Sequence, residues 1–216
     1  MQSLNKKVLL PGIVGSLGAL IIVIVDIIYN LFNGNHLGTN LYITFLGLFI
    51  FPLWWGGIWV IYQGLKPAGV LWSLIPCIIF VFYTSTINVF YHSCYPFWAA
   101  INDSSGRATG ETLNTIINIK ATIKGYTSLI NIIDSMLQLI ICVWIAIPVL
   151  RGKTHFPRWI AFLIPIFPMI ACLIINIFIK GFFNMVEPYI ASGFICILFI
   201  LCTSILHKKF ANVFKA

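Results

Sequence analysis

Six runs of mostly apolar residues follow one another along the chain, at 8–32, 41–65, 69–91, 126–150, 159–179 and 189–206, parted by shorter polar stretches. At a rise of about 1.5 Å per residue, roughly 20 such residues cross the hydrocarbon core of a bilayer as a helix. The pattern predicts an all-α fold: a polytopic membrane protein with six transmembrane helices in one bundle, a single transmembrane domain over residues 1–216. The first run is too long for the apolar stretch of a signal peptide, contains Asp26 and has no small-residue cleavage site before the next loop. It reads as a retained span.

Four of the five connections are short, which holds sequential helices side by side. The third, 103–125, opens with a turn rich in Ser and Gly, after which Leu113, Ile116, Ile117 and Ile123 recur at helical spacing beside Lys120 and Lys124. That spacing predicts an amphipathic helix along the outer interface, either a partial lid over a site or a helix with no gating role. In the first span Gly12 with Ser16, and Gly15 with Ala19, repeat four residues apart and mark a close packing face. Pro165-Ile-Phe-Pro168 predicts a bend in the fifth helix.

Composition narrows the class. The chain is 60% hydrophobic and 8% charged, against about 25% charged in a soluble domain, which excludes a soluble enzyme and a nucleic-acid-binding domain. Nine cations, Lys6, Lys7, Lys66, Arg151, Lys153, Arg158, Lys208, Lys209 and Lys215, fall at one end of the predicted bundle. The other end carries Arg107, Lys120, Lys124 and Lys180. This asymmetry puts both termini in the cytoplasm, and usage rich in Ile, Asn and Lys, as in an AT-rich prokaryotic genome, points to the plasma membrane. The six cysteines form no CxxC pair, and five of them lie inside the runs, where a thiol serves as a small apolar side chain.

Ionisable and amide side chains inside spans are the candidate functional residues, because each costs about 2.5–3.5 kcal/mol at the bilayer centre. Counting helix rise from the basic end places Asp26 about 27 Å up the first helix, and Asn88 and His92 about 28 and 34 Å up the third. Asp134 lies ten residues past Lys124, and Asn131, Asp134 and Gln138 form one stripe at i, i+3 and i+7. Asn176 falls in the outer half of the fifth span, and Glu187 before Pro188 opens the sixth, where a helix dipole favours a carboxylate. Tyr83, Tyr91, Tyr95, Tyr126 and Tyr189 supply hydroxyls at the same level. The expectation is a polar pocket in the outer half that uses Asp26, Asn88, His92, Asn131, Asp134, Gln138, Asn176 and Glu187 as ligand contacts. Asp134, in the stripe, leads the list.

Several chemistries lack their residues. No lysine lies within a span to carry a retinal Schiff base, and neither GxGxxG nor GxxxxGK[ST] occurs. His92 and Cys94, two apart on a helix, point about 200° from each other and form no dyad. No metal site and no particular cofactor is assigned. Three readings stay open: a protein that binds or transports a small amphipathic or lipid-like ligand, with the lipid bilayer as its other partner; an intramembrane lipid hydrolase or isomerase with Asp26 or Asp134 as base and His92 as acid or metal ligand; and a scaffold whose polar groups join helices.

Gly15-Ser-Leu-Gly-Ala-Leu20 with Asp26 downstream, the stretch Trp59-x-x-Tyr62-x-x-Leu65-Lys-Pro-Ala68, and a third span ending in His92-Ser93 carry a further signal. Over about half its length the chain resembles a prokaryotic family of six-span integral membrane proteins defined as a domain of unknown function. The resemblance implies the six-span topology and singles out Asp26 and His92 as polar marks. It implies no activity.

Overall fold

The computed structural model describes residues 2–31, 49–88, 101, 104, 109–180 and 182–212. Among them every regular element is helical. Helix α1 spans Gln2–Leu31, and a 3-10 turn at Phe51–Leu53 leads into α2, Trp54–Leu65. Helix α3, Val70–Phe82, widens into a π-helical turn at Tyr83–Asn88. Helix α4 spans Gly110–Leu150, a 3-10 segment at Arg158–Leu163 precedes α5, Ile166–Phe178, and α6 spans Phe182–Asn212.

Among the described residues three helices are long and apolar enough to cross a membrane: Lys7–Val25, Gly110–Leu150 and Ser192–Ala211. The apolar helices Val70–Thr86 and Ile166–Phe178 are shorter. The start of the second predicted run and the end of the third fall at 32–48 and 89–100, outside the described residues.

Three local expectations change. The segment expected to lie along the outer interface continues the fourth span without interruption, so Gly110–Leu150 is one helix of 41 residues, about 60 Å long. Gly125 alone does not break it, because it costs only about 1 kcal/mol in a helix interior. The sixth helix begins at Phe182, so Glu187 lies inside it rather than at its opening; Phe182, Phe183, Met185 and Val186 extend the helix upstream. The fifth span breaks where a bend is expected. Ile164, forced out of the helical region by the proline after it, is extended at φ −65°, ψ 130°, and α5 restarts from Pro165.

Helix α1 packs most extensively against α6 and next against α2. Its small residues make this possible: a Cβ on Gly12 would strike Thr203 of α6, and one on Gly15 would strike the backbone of Gly57 in α2. Gly57 in turn lies under the Phe199 ring of α6, and Trp54 meets that ring edge-on at 6.1 Å. Pro11 in α1 lacks the N–H that would bond the Lys7 carbonyl. The Trp59 indole of α2 donates to that carbonyl instead, at 3.1 Å, so a neighbouring helix satisfies the freed acceptor. Phe199, Ile58, Ile61, Leu65, Val149 and Leu206 are fully buried between the helices. Leu10, Leu17, Ile24, Leu129, Met136, Ile170 and Ile174 point outward.

The basic end is tied together by one loop. Helix α4 ends in a Schellman motif: Gly152 at φ 67° donates to Val149 and Lys153 donates to Pro148. The loop then places His155 N–H on the Gly64 carbonyl at 2.8 Å, the Phe156 ring against Gly64, and the His155 ring edge-on to Phe210 of α6. Burial and the nearby Lys209 ammonium pull the His155 imidazole below its ordinary value of 6.5.

Candidate functional site

The site grows from the end of α3. Tyr83, Thr84, Ser85 and Thr86 occupy a turn in which the helix widens to π geometry. The Thr84 and Ser85 hydroxyls both donate to the Val81 carbonyl, at 3.0 and 2.6 Å. Such back-bonding by hydroxyl side chains competes with the i to i−4 ladder and favours a distorted turn; single π turns of this kind recur at functional sites. The widening is absent from an expectation of regular helix up to residue 91. Its one visible signal is the run of three hydroxyl residues after Tyr83.

Tyr83 is buried, and its hydroxyl donates a hydrogen bond to the half-buried carboxylate of Asp134 on α4. Leu129, Ile132, Ile133 and Met136 around Asp134 are exposed, so the stripe that holds Asp134 and Gln138 turns toward α3 while the apolar positions face outward. Counted from Leu150 at the basic end, Asp134 stands about 24 Å up the roughly 60 Å of α4, beyond the midplane of a hydrocarbon core about 30 Å thick that starts at that end.

One turn nearer that end, Tyr83 and Gln138 reach a cavity of about 30 Å³ at the centre of the bundle. Ile61 of α2, Phe80 of α3, Cys142 of α4 and Leu198 of α6 wall it, and the break at Ile164–Pro165 closes one side. The proline break therefore shapes an internal space. By volume the cavity holds one or two water molecules, although its lining is almost wholly apolar. Among the described residues the buried indole N–H of Trp54 has no acceptor. It is a further polar group that sequence reasoning did not single out, since Trp54 reads as packing.

Of the predicted site residues, Asp134 and Gln138 come together around Tyr83. Asn176 is half-buried on α5 and does not line the cavity. The backbones of Asp26 in α1, Asn88 at the end of the π turn, Asn131 in α4 and Glu187 in α6 are placed, but their side chains lie outside the described residues, as does the whole of His92. Among the described residues no three His, Cys, Asp or Glu side chains gather to hold a metal ion. No family model matches the chain, and neither does any curated protein or solved structure.

Proposed function

We propose that this is a multi-pass integral protein of the plasma membrane, with six spans and both termini in the cytoplasm, that binds or transports a small amphipathic or lipid-like ligand. Long apolar helices and continuous outward-facing apolar side chains, far beyond what a soluble surface exposes, support the membrane placement. The hydrogen bond from Tyr83 to Asp134 carries the functional reading. It is a carboxylate held by a hydroxyl from an adjacent helix, at a π turn, about 24 Å from the basic end of α4. Ionisable groups at such depth mark ligand or ion sites by default. The ligand's polar end would meet Asp134 and Gln138, with Asp26, Asn88, His92, Asn131, Asn176 and Glu187 as the wider set of contacts.

The test is native mass spectrometry of the full chain released from mild detergent. The expected result is a retained organic molecule that Asp134→Ala loses and Tyr83→Phe weakens. A bare polypeptide mass for the unaltered protein in every detergent counts against the reading. Resistance of the protein to alkaline carbonate extraction checks the membrane placement separately.

The size of the cavity favours a second reading, in which the Tyr83–Asp134 bond joins α3 to α4 in a scaffold or assembly partner. A space of about 30 Å³ lies well below the roughly 300 Å³ at which small-molecule sites begin. Under this reading Asp134→Asn, which keeps an acceptor for the Tyr83 hydroxyl, is silent in every assay except thermal stability.

A further inference from the structure

The break at Ile164–Pro165 that closes one side of the central cavity is also the foot of α5. Both ends of that helix are extended residues: Ile164 at φ −65°, ψ 130° before Pro165, and Ile179 at φ −122°, ψ 92° after Phe178. A rod between two extended residues turns by backbone rotation at its ends, with no helical hydrogen bond broken. Below the break the chain is fixed, since Ile160 and Ala161 are buried in the 3-10 segment that packs on α4 and α6, and Ile164 itself is buried. Above it the hold is slight. Within α5 only Pro168 is buried, Ile170, Leu173, Ile174, Ile177 and Phe178 are exposed, and the helix rests on α6 while scarcely touching α4. Lipid tails are as apolar as these side chains, so no hydrophobic force draws α5 inward and van der Waals contact alone keeps it there.

At the cavity α5 meets α4 through a backbone donor. The Ile166 N–H, in the first turn and so without an acceptor in its own helix, donates to the Cys142 sulfur. Sulfur is a weak acceptor. Cys142, Ile164 and Pro165 all belong to the cavity wall, so this contact is where the wall is joined. On the outer side of the break the Phe162 ring meets the Phe167 ring edge-on at 5.6 Å, a clasp from the fixed segment to the mobile rod.

We propose that α5 is a lateral gate: rotation about Ile164 carries Pro165 and Ile166 away from Cys142 and opens the cavity at Tyr83 and Gln138, between α4 and α5, to the apolar part of a ligand arriving from the bilayer. The proposal rests on the ligand reading above and supplies the room which that reading needs. The space of about 30 Å³ is then the closed state, and lifting one wall brings it toward the roughly 300 Å³ of a small-molecule site. Opening gives up one weak N–H to sulfur bond, and the side chains it uncovers, Cys142, Ile195 and Leu198, accept a hydrocarbon tail without stranding a side-chain polar group.

The experiment reads the native thiols of the full chain in phosphatidylcholine vesicles with a lipid-soluble reagent, N-phenylmaleimide, followed by peptide mapping. Cys142 and Cys77 are each 5% exposed and stand about 12 and 10 Å from the basic ends of α4 and α3. Cys142 lines the cavity and Cys77 does not, so Cys77 reports any general loosening at the same depth. Cys142 should be modified at least about tenfold faster than Cys77, as a local opening requires. Phe162→Ala removes a ring that is exposed, so the fold tolerates it; it should speed modification of Cys142 about fivefold, the weight of one aromatic pair, and leave Cys77 unchanged. Equal rates at the two thiols, a Cys142 rate indifferent to Phe162→Ala, or equal acceleration of both thiols each overturns the gate. A retained organic molecule lost in Asp134→Ala, in a protein whose Cys142 is as slow as Cys77, overturns the gate and leaves the ligand reading standing. A fast Cys142 in a protein that retains no molecule overturns the ligand reading and leaves the moving helix standing.

Discussion

The contact between α1 and α2 makes Gly15→Ala the most informative single change. A Cβ at Gly15 would overlap the Gly57 backbone nitrogen and lie 2.6 Å from its Cα and 3.0 Å from the Gly56 carbonyl carbon. None of these atoms can rotate aside, so the two helices must separate. Forcing a carbon into a packed contact costs about 1–3 kcal/mol, and a rigid backbone neighbour puts this site at about 2–3. Alanine returns about 1 kcal/mol in helix propensity, leaving a net loss of about 1–2 kcal/mol. For a chain of this size that lowers the melting midpoint by about 2–8 °C. The control is Gly125→Ala, where nothing lies within 4 Å of the added carbon; there the propensity gain stands alone and the midpoint should rise slightly. Circular dichroism melts of both variants in the same mild detergent measure the difference. A midpoint for Gly15→Ala at or above that of Gly125→Ala would refute the packing argument.

Other consequences are equally open to test. Tyr83→Phe leaves Asp134 short of a donor and should cost about 1–3 kcal/mol in detergent denaturation; Asp134→Asn should cost less, and the reverse order would count against the bond. The His155 imidazole sits below its ordinary 6.5 in the folded chain, so the unfolded chain takes up the proton first as pH falls beneath that value. Stability is therefore full above about pH 6.5 and declines below it; His155→Gln should flatten the decline of the melting midpoint toward pH 5, and identical slopes would remove His155 from the explanation. Cys77, Cys142, Cys196 and Cys202 are buried and Cys172 is partly exposed, so N-ethylmaleimide followed by peptide mapping should modify Cys172 before those four. Equal rates would mean the core opens more readily than its packing implies.

Much of the architecture was legible because its causes are periodic or compositional. Apolar runs marked α1, α4 and α6, and the glycines spaced four apart in α1 announced the face that receives Gly57 and Thr203. Pro165 announced a break, though the preference of Ile164 for extended backbone turned a bend into a full interruption. The stripe on α4 gave Asp134 and Gln138 a common direction. What stayed hidden depends on partners distant in the chain. Nothing near Asp134 in sequence names Tyr83, 51 residues earlier, and the π turn that presents Tyr83 arises from hydroxyls competing for one carbonyl. Helix length is likewise hidden where a polar face suggests an in-plane segment: residues 110–125 carry enough helix-compatible residues to run straight into the span, and periodicity does not mark where a membrane begins.

The bond from Trp59 to the Lys7 carbonyl makes a proline in one helix and an indole in another a single genetic unit. Restoring the missing N–H through Pro11→Ala lets α1 satisfy Lys7 by itself, after which Trp59 is free to vary. Losing Trp59 while Pro11 remains strands the acceptor. The two changes should therefore be strongly non-additive, and lineages that shed the proline are the ones in which the tryptophan can drift. A helix defect in α1 thus acts as an address label: it names the partner helix and the register at which α2 must arrive, and an α2 displaced by one turn would leave that label unread.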